Sequence, residues 1–245
     1  MLWRRLTAEF LGSAFLAALV IGSGIAAQRL SPGQTGLELL ENSAVTAAGL
    51  FAIISMFGPV SGGHFNPVVS FADAAFGGLS WRDAAAYLPA QVAGCTSGAV
   101  LANLMFALPA VSISGKHRAT GAHFLSEVVA TAGLLLVIFA LARSGRARSA
   151  PAAVGAYIGA AYWFTSSTSF ANPAITVGRM FSDTFAGIAP SSVLPFIAAQ
   201  IIGGIAAVAI IKALYPAITP SDAAAIIVPH TSDGRVPDNA PLPGK

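Results

Sequence analysis

"SGGHFNPV", residues 61–68, and "SFANPAI", residues 169–175, each place an Asn-Pro pair where a hydrophobic run has just broken off. Proline is well tolerated at the first position of a helix, where its missing N–H would have had no partner, and asparagine is a strong N-cap. Each pair therefore reads as a helix start. The apolar segments that they open, 66–76 and 173–182, are short. A stretch from Asn66 to Ala75 makes about 15 Å of helix, half of a hydrocarbon core about 30 Å thick.

That core is the relevant medium. Hydrophobic residues fill 55% of the 245 positions and charged residues 9%, against about 25% charged in soluble domains, so the composition is that of an integral membrane protein in a lipid bilayer. Thirteen basic and 10 acidic side chains are scattered without the dense cluster that nucleic-acid binding uses, which argues against a nucleic-acid partner. The single cysteine, Cys95, lies in an apolar run; it provides neither a disulfide nor a metal site and reads as a small buried side chain. No cofactor or metal set is expected. Met1-Leu-Trp-Arg-Arg followed by an apolar stretch imitates a secretory signal, but that stretch is about 20 residues long rather than 7–15 and holds Glu9. It reads as a retained first span.

Six segments are long enough to cross: about 5–27, 38–59, 82–108, 121–142, 150–168 and 191–214. With alternate connections on alternate sides, Arg4, Arg5, Arg82, Arg143, Arg146, Arg148, Lys212, Arg235 and Lys245 share the side of the amino terminus, and Arg29, Lys116, Arg118 and Arg179 take the other. The excess of basic residues on the first side predicts that both termini are cytoplasmic. Residues 216–245, rich in proline, serine and aspartate, read as a flexible cytoplasmic tail after a channel-forming region of 1–215.

A repeat underlies the six spans. "TAEFLGSAFLAALVIG" (7–22) parallels "LSEVVATAGLLLVIFA" (125–140), with Glu9 matching Glu127; Asn66-Pro67-Val68 parallels Asn172-Pro173-Ala174, and "AQVAG" (90–94) parallels "AQIIG" (199–203). Each half, about 1–110 and 118–215, holds three spans, an odd number, so the second half enters from the opposite face. Inversion points the two half-helices at each other. The non-helical stretches before them then lie at membrane depth, where such backbone survives only if it lines an aqueous cavity or is packed in protein. A pore follows, lined by carbonyls of Gly62, Gly63, His64 and Phe65 and of Thr168, Ser169, Phe170 and Ala171, with the amides of Asn66 and Asn172 as central donors. Converging positive helix ends and an otherwise apolar wall disfavour ions, while donors at the centre orient a passing water and interrupt proton hopping.

The Asn-Pro motifs, "AEFLG" with its counterpart glutamate, "SGGHFNP" and the paired "AQxxG" segments resemble the aquaporin, or major intrinsic protein, family over about residues 4–214. The resemblance implies an all-α fold of six tilted membrane helices plus two re-entrant half-helices, a pore in every subunit, passive conduction of small neutral solutes rather than catalysis, and a homotetramer in the bacterial inner membrane. It also implies that Glu9 and Glu127 brace the re-entrant loops by accepting backbone hydrogen bonds. A mid-membrane carboxylate costs on the order of 3 kcal/mol or more and needs such partners.

Departures from the family's pattern concern the solute. Val68 replaces the alanine of the first motif, and Ile175 stands where most members carry an arginine whose guanidinium enters the outer constriction. Family offsets place the other filter positions at Thr46, Ala160 and Ser169, which predicts a wide, weakly basic constriction. Arg179, one turn beyond Ile175, reads as snorkelling to the outer interface, with a reach back to the vestibule as the alternative. A filter without arginine resembles a bacterial subset found with arsenic-resistance genes that passes neutral arsenous acid; water or another small solute is the competing expectation. Gly94 and Gly98, and Gly155 and Gly159, have the small-xxx-small spacing of close helix contacts. An ion-coupled transporter would favour an ionisable group at the midplane, where only amides are expected, and an intramembrane enzyme would need a motif that His64, His117, His123 and His230 do not make.

Overall fold

The computed structural model describes residues 1–215; the expected tail, 216–245, lies outside the described residues. Eight α-helices follow in order: α1 Leu2–Leu30, α2 Thr35–Ser61, α3 Pro67–Phe76, α4 Trp81–Met105, α5 Gly121–Arg143, α6 Ala150–Phe164, α7 Pro173–Arg179 and α8 Pro190–Leu214. Among the described residues α1, α2, α5 and α8 are long and apolar enough to cross a membrane on composition alone. α4 has the length but carries Gln91 and Asn103 buried inside the bundle, and α6 has 15 residues, about 22 Å of helix. The expected fifth span, 150–168, is therefore too long at its carboxyl end, because Thr165 and the residues after it leave the helix. Likewise the third span stops at Met105 rather than 108, and the second half-helix stops at Arg179 rather than 182.

Helix ends follow local chemistry. α2 terminates on Gly62, left-handed at φ 92°, whose N–H bonds Gly58 O; a residue without a Cβ takes that conformation at least cost. α4 and α5 start on Ser80 and Thr120, whose hydroxyls accept from Asp83 N and His123 N.

The two halves pack alike. α1 lies mainly against α4 and α5 mainly against α8, while α2 meets α6 across the pseudo-symmetry axis. Each of the first two contacts is backbone-close: a Cβ on Gly94 or Gly98 would overlap the carbonyls of Phe10 and Ala14 in α1, and one on Gly203 would overlap Val128 O in α5. Gly155 likewise lies against Ala47 O of α2. These glycines let the helices approach until their backbones touch, the route to dispersion energy where lipid removes the hydrophobic drive. Phe15, Phe51, Leu101, Leu125, Leu194 and Ile205 are exposed on the outside, as a lipid-facing surface requires. The segment between the halves runs extended beside the end of α7, with Ser112 N and Ser114 N bonded to Phe181 O and Met180 O.

Candidate functional site

Two short non-helical stretches lead into α3 and α7. Gly62, Gly63 and Phe65 have φ of 92°, 65° and 47°, and Thr168, Ser169 and Ala171 have 61°, 48° and 50°; each residue of the second set lies 106 positions after its counterpart. A left-handed residue with a Cβ costs about 1–2 kcal/mol, so both stretches need external bracing. Glu9 Oε1 accepts from His64 N (3.0 Å) and Ser61 Oγ (2.6 Å), and its Oε2 accepts from Phe65 N (2.7 Å) and Gln91 Nε2 (2.8 Å). Glu127 repeats the pattern: Oε1 accepts from Ser167 Oγ (2.7 Å) and Phe170 N (2.8 Å), and Oε2 from Ala171 N (2.8 Å) and Gln200 Nε2 (2.7 Å). Both carboxylates are fully buried. Only a carboxylate offers two acceptor oxygens with no competing donor, which accounts for an acidic residue in the middle of each apolar helix.

Asn66 Oδ1 caps α3 by accepting from Val68 N at 3.0 Å, and Asn172 Oδ1 caps α7 by accepting from Ala174 N at 2.9 Å. Their amide nitrogens cross over. Asn66 Nδ2 donates to Ala171 O and Asn172 Nδ2 to Phe65 O, each at 2.7 Å. An amide nitrogen carries two hydrogens, so each asparagine keeps one for the space between the halves.

That space is a cavity with about 60 Å³ of room for the centre of a water-sized sphere, and Asn66 and Asn172 both line it. Leu16, Leu50, Ile54, Leu134, Ile138 and Val154 form much of its apolar wall. Of the eight residues expected to give it carbonyls, Gly63, His64, Phe65, Ser169 and Phe170 line it; Gly62, Thr168 and Ala171 do not. Gly62 is absorbed in ending α2, and the Ala171 carbonyl, like that of Phe65, accepts an asparagine amide. Pro67, Pro173, Val68 and Ala174 are buried behind the asparagines, outside the cavity's lining. Val68 meets Gly204 of α8, whose missing side chain leaves room for its γ-methyl.

Thr46, Ser169 and Ile175 line the cavity, but Ala160 does not: it is exposed on the far side of α6. Tyr162 occupies the place assigned to it, 3% exposed, with its hydroxyl 3.2 Å from Thr46 Oγ1. The cavity lining beside Thr46 thus carries a phenol where a small methyl was expected. Arg179 does not snorkel. It is 2% exposed and lines the same cavity, its guanidinium carbon 3.4 Å from the Phe170 ring centroid and its Nε donating to Ala186 O.

Charge is arranged unequally at the two ends. His64 lines the cavity, with Nδ1 3.0 Å from Ser70 Oγ and Nε2 3.4 Å from Asp73 Oδ2 on α3. On the connection between α4 and α5 Arg118 donates to Gly187 O and Ser167 O, its guanidinium carbon 5.3 Å from the Phe170 centroid. Burial, together with the nearby Arg118 and Arg179 guanidiniums, holds the Lys116 ammonium below its ordinary lysine range. No cluster of potential metal ligands occurs among the described residues.

Comparison with known proteins gives a consistent picture. The sequence profile of the family described as "Major intrinsic protein" matches residues 1–170. Aquaglyceroporin AqpS of Rhizobium meliloti is 46% identical over 219 residues, 89% of this chain and 93% of that protein. The glycerol uptake facilitator protein of Pseudomonas aeruginosa is 34% identical, with 75% of each chain covered. Among solved structures, the aquaglyceroporin from Plasmodium falciparum matches in fold with a TM-score of 0.68 at 20% identity, over 88% of this chain and 98% of that one.

Proposed function

The chain belongs to the major intrinsic protein family, and from that premise we propose that this multi-pass membrane channel for small neutral solutes conducts arsenous acid alongside water, passively and without ions or protons. The observation that carries this reading is the pair Asn66 and Asn172, whose cross-braced amides each keep one N–H for a cavity walled otherwise by aliphatic side chains. A hydroxylated neutral solute entering such a conduit exchanges its hydrogen bonds with water for bonds to those amides and to the flanking carbonyls. An ion finds no set of oxygens there to replace its hydration shell. Water oriented by two fixed donors presents its own hydrogens outward in both directions, which breaks the relay a proton would follow.

Arsenous acid, uncharged at physiological pH and carrying three hydroxyls, suits a filter in which Tyr162, Thr46 and Ser169 offer hydroxyl groups and Ile175 an apolar side. Glycerol is the second reading, favoured by the names of the two bacterial relatives. The proposed unit is a homotetramer in the bacterial inner membrane with a separate conduit in every subunit, both termini in the cytoplasm, and residues 1–215 as the channel region.

Proteoliposomes test the reading. Stopped-flow swelling in osmotic, glycerol and arsenous acid gradients is expected to show water flux above protein-free vesicles and arsenous acid flux above glycerol flux. Arsenous acid entry no faster than into empty vesicles would remove the metalloid assignment. Flux driven uphill by an imposed proton or sodium gradient would replace the channel with a coupled transporter.

A further inference from the structure

Ile175 leaves the filter position next to the second Asn-Pro motif without a donor, yet the cavity at that level is not without one. Ile175 and Arg179 are four residues apart on α7, hence on one face of it, and both line the cavity. The Arg179 side chain folds back along that face toward the motif, lies over the Phe170 ring and is tied by Nε to Ala186 O. Phe170 itself is held edge to face against Phe196 of α8, centroids 5.0 Å apart. Among the described residues the Nε contact is the only hydrogen bond of this guanidinium, so the N–H groups on its terminal nitrogens are spare, and a buried arginine with spare donors beside a cavity directs them into it.

The same reach-back occurs in the other half. Asp73, the counterpart of Arg179 in α3, contacts His64, the counterpart of Phe170, and His64 also lines the cavity. In both half-helices the residue seven positions past the asparagine thus meets a ring that lines the cavity, but only Arg179 itself lines it.

We infer that Arg179 is the cationic donor of the outer filter, delivered from one helical turn beyond the usual position by stacking on Phe170. The inference rests on the channel reading and adds a specificity-determining residue to it. A guanidinium there donates to the oxygens of a hydroxylated solute and repels cations approaching from outside, while Ile175 keeps the opposite requirement low: no bulky charged group stands at the motif itself, which leaves width for a solute larger than water.

Two measurements on the full chain in proteoliposomes test it. Arg179→Gln is expected to raise proton and sodium leak under an imposed potential on the order of tenfold relative to the variant's own water flux, and Arg179→Lys to restore ion exclusion in part. Arg179→Cys, in a chain whose other thiol, Cys95, is buried, is expected to be labelled by a cationic methanethiosulfonate from the outer side and to lose solute flux on labelling; the unsubstituted protein serves as the insensitive control. A thiol at 179 that stays unlabelled, or labelling without loss of flux, overturns the assignment even if Arg179→Gln folds poorly. Ion leak unchanged in a conducting Arg179→Gln overturns it as well. An unsubstituted protein that passes no solute overturns the channel reading instead.

Discussion

Asp73 and Arg179 occupy the same place in the two half-helices, seven residues past Asn66 and Asn172, and each turns back to a ring that lines the cavity, His64 on one side and Phe170 on the other. The repeat has kept the geometry and exchanged the charge. A conduit for neutral solutes tolerates that polarity, because an uncharged molecule gains nothing from a field along its path beyond the orientation of its dipole.

Glu9→Gln is expected to destabilise the protein by about 2–4 kcal/mol. The carboxamide supplies one acceptor where four donors converge and turns its own N–H₂ on two of them, leaving buried groups without partners at about 1–3 kcal/mol each. Glu127→Gln, in a matching set of bonds, is expected to cost as much. Thermal unfolding in detergent reads both; a large loss from one substitution with none from the other contradicts the equivalence of the two braces.

Tyr162→Ala is expected to increase permeation of glycerol relative to water several-fold, since a buried phenol bonded to Thr46 is removed from the cavity lining. Ala160→Leu, on the exposed face of α6, is expected to leave the ratio unchanged. Stopped-flow light scattering on the two variants separates the two positions, and a reversal of their effects would return the filter to Ala160.

Gly98→Ala is expected to cost about 1–3 kcal/mol, the range for forcing extra atoms into a closely packed site, because the added methyl meets the Ala14 backbone rather than a side chain that could swing aside. Gly203→Ala meets Val128 O in the same way and is expected to behave alike. Detergent melting curves check both; no change in either would mean that α1 and α4, or α5 and α8, can separate freely.

Tyr87→Phe removes a buried hydroxyl that accepts from Arg5 Nε and donates to Ser61 O, each at 2.8 Å. A loss of about 1–3 kcal/mol is expected, since two buried groups are left unsatisfied. Asp83→Asn, which affects only the partly exposed ion pair with Arg5, is expected to change stability by less than about 1 kcal/mol. Equal losses in denaturant titrations would show that the ion pair, rather than the tyrosine, ties Arg5 to the start of the first loop.

What was legible beforehand divides along physical lines. The half-helices, the glutamates facing them and the glycine contacts could be read because each depends on local chemistry or on the repeat, and both are written directly in the order of residues. Tyr162 could not be reached by counting back from Asn172, since the count crosses the irregular stretch from Thr165 to Ala171 before entering α6. A helix turns about 100° per residue, so an error of two positions rotates the chosen side chain to the opposite face, which is where Ala160 lies. Arg179 was visible as a candidate, but its direction is set by Phe170 and by Ala186, a carbonyl in the connection after α7. No periodicity encodes that contact. A cue was nevertheless present: the offset of 106 pairs Arg179 with Asp73, so the only charged residue of each half-helix falls at one repeat position.

Because Asn66 is aimed by the backbone of the second half and Asn172 by that of the first, neither half owns a working centre. The conduit is therefore a joint product of two lengths of chain that meet only in the finished fold.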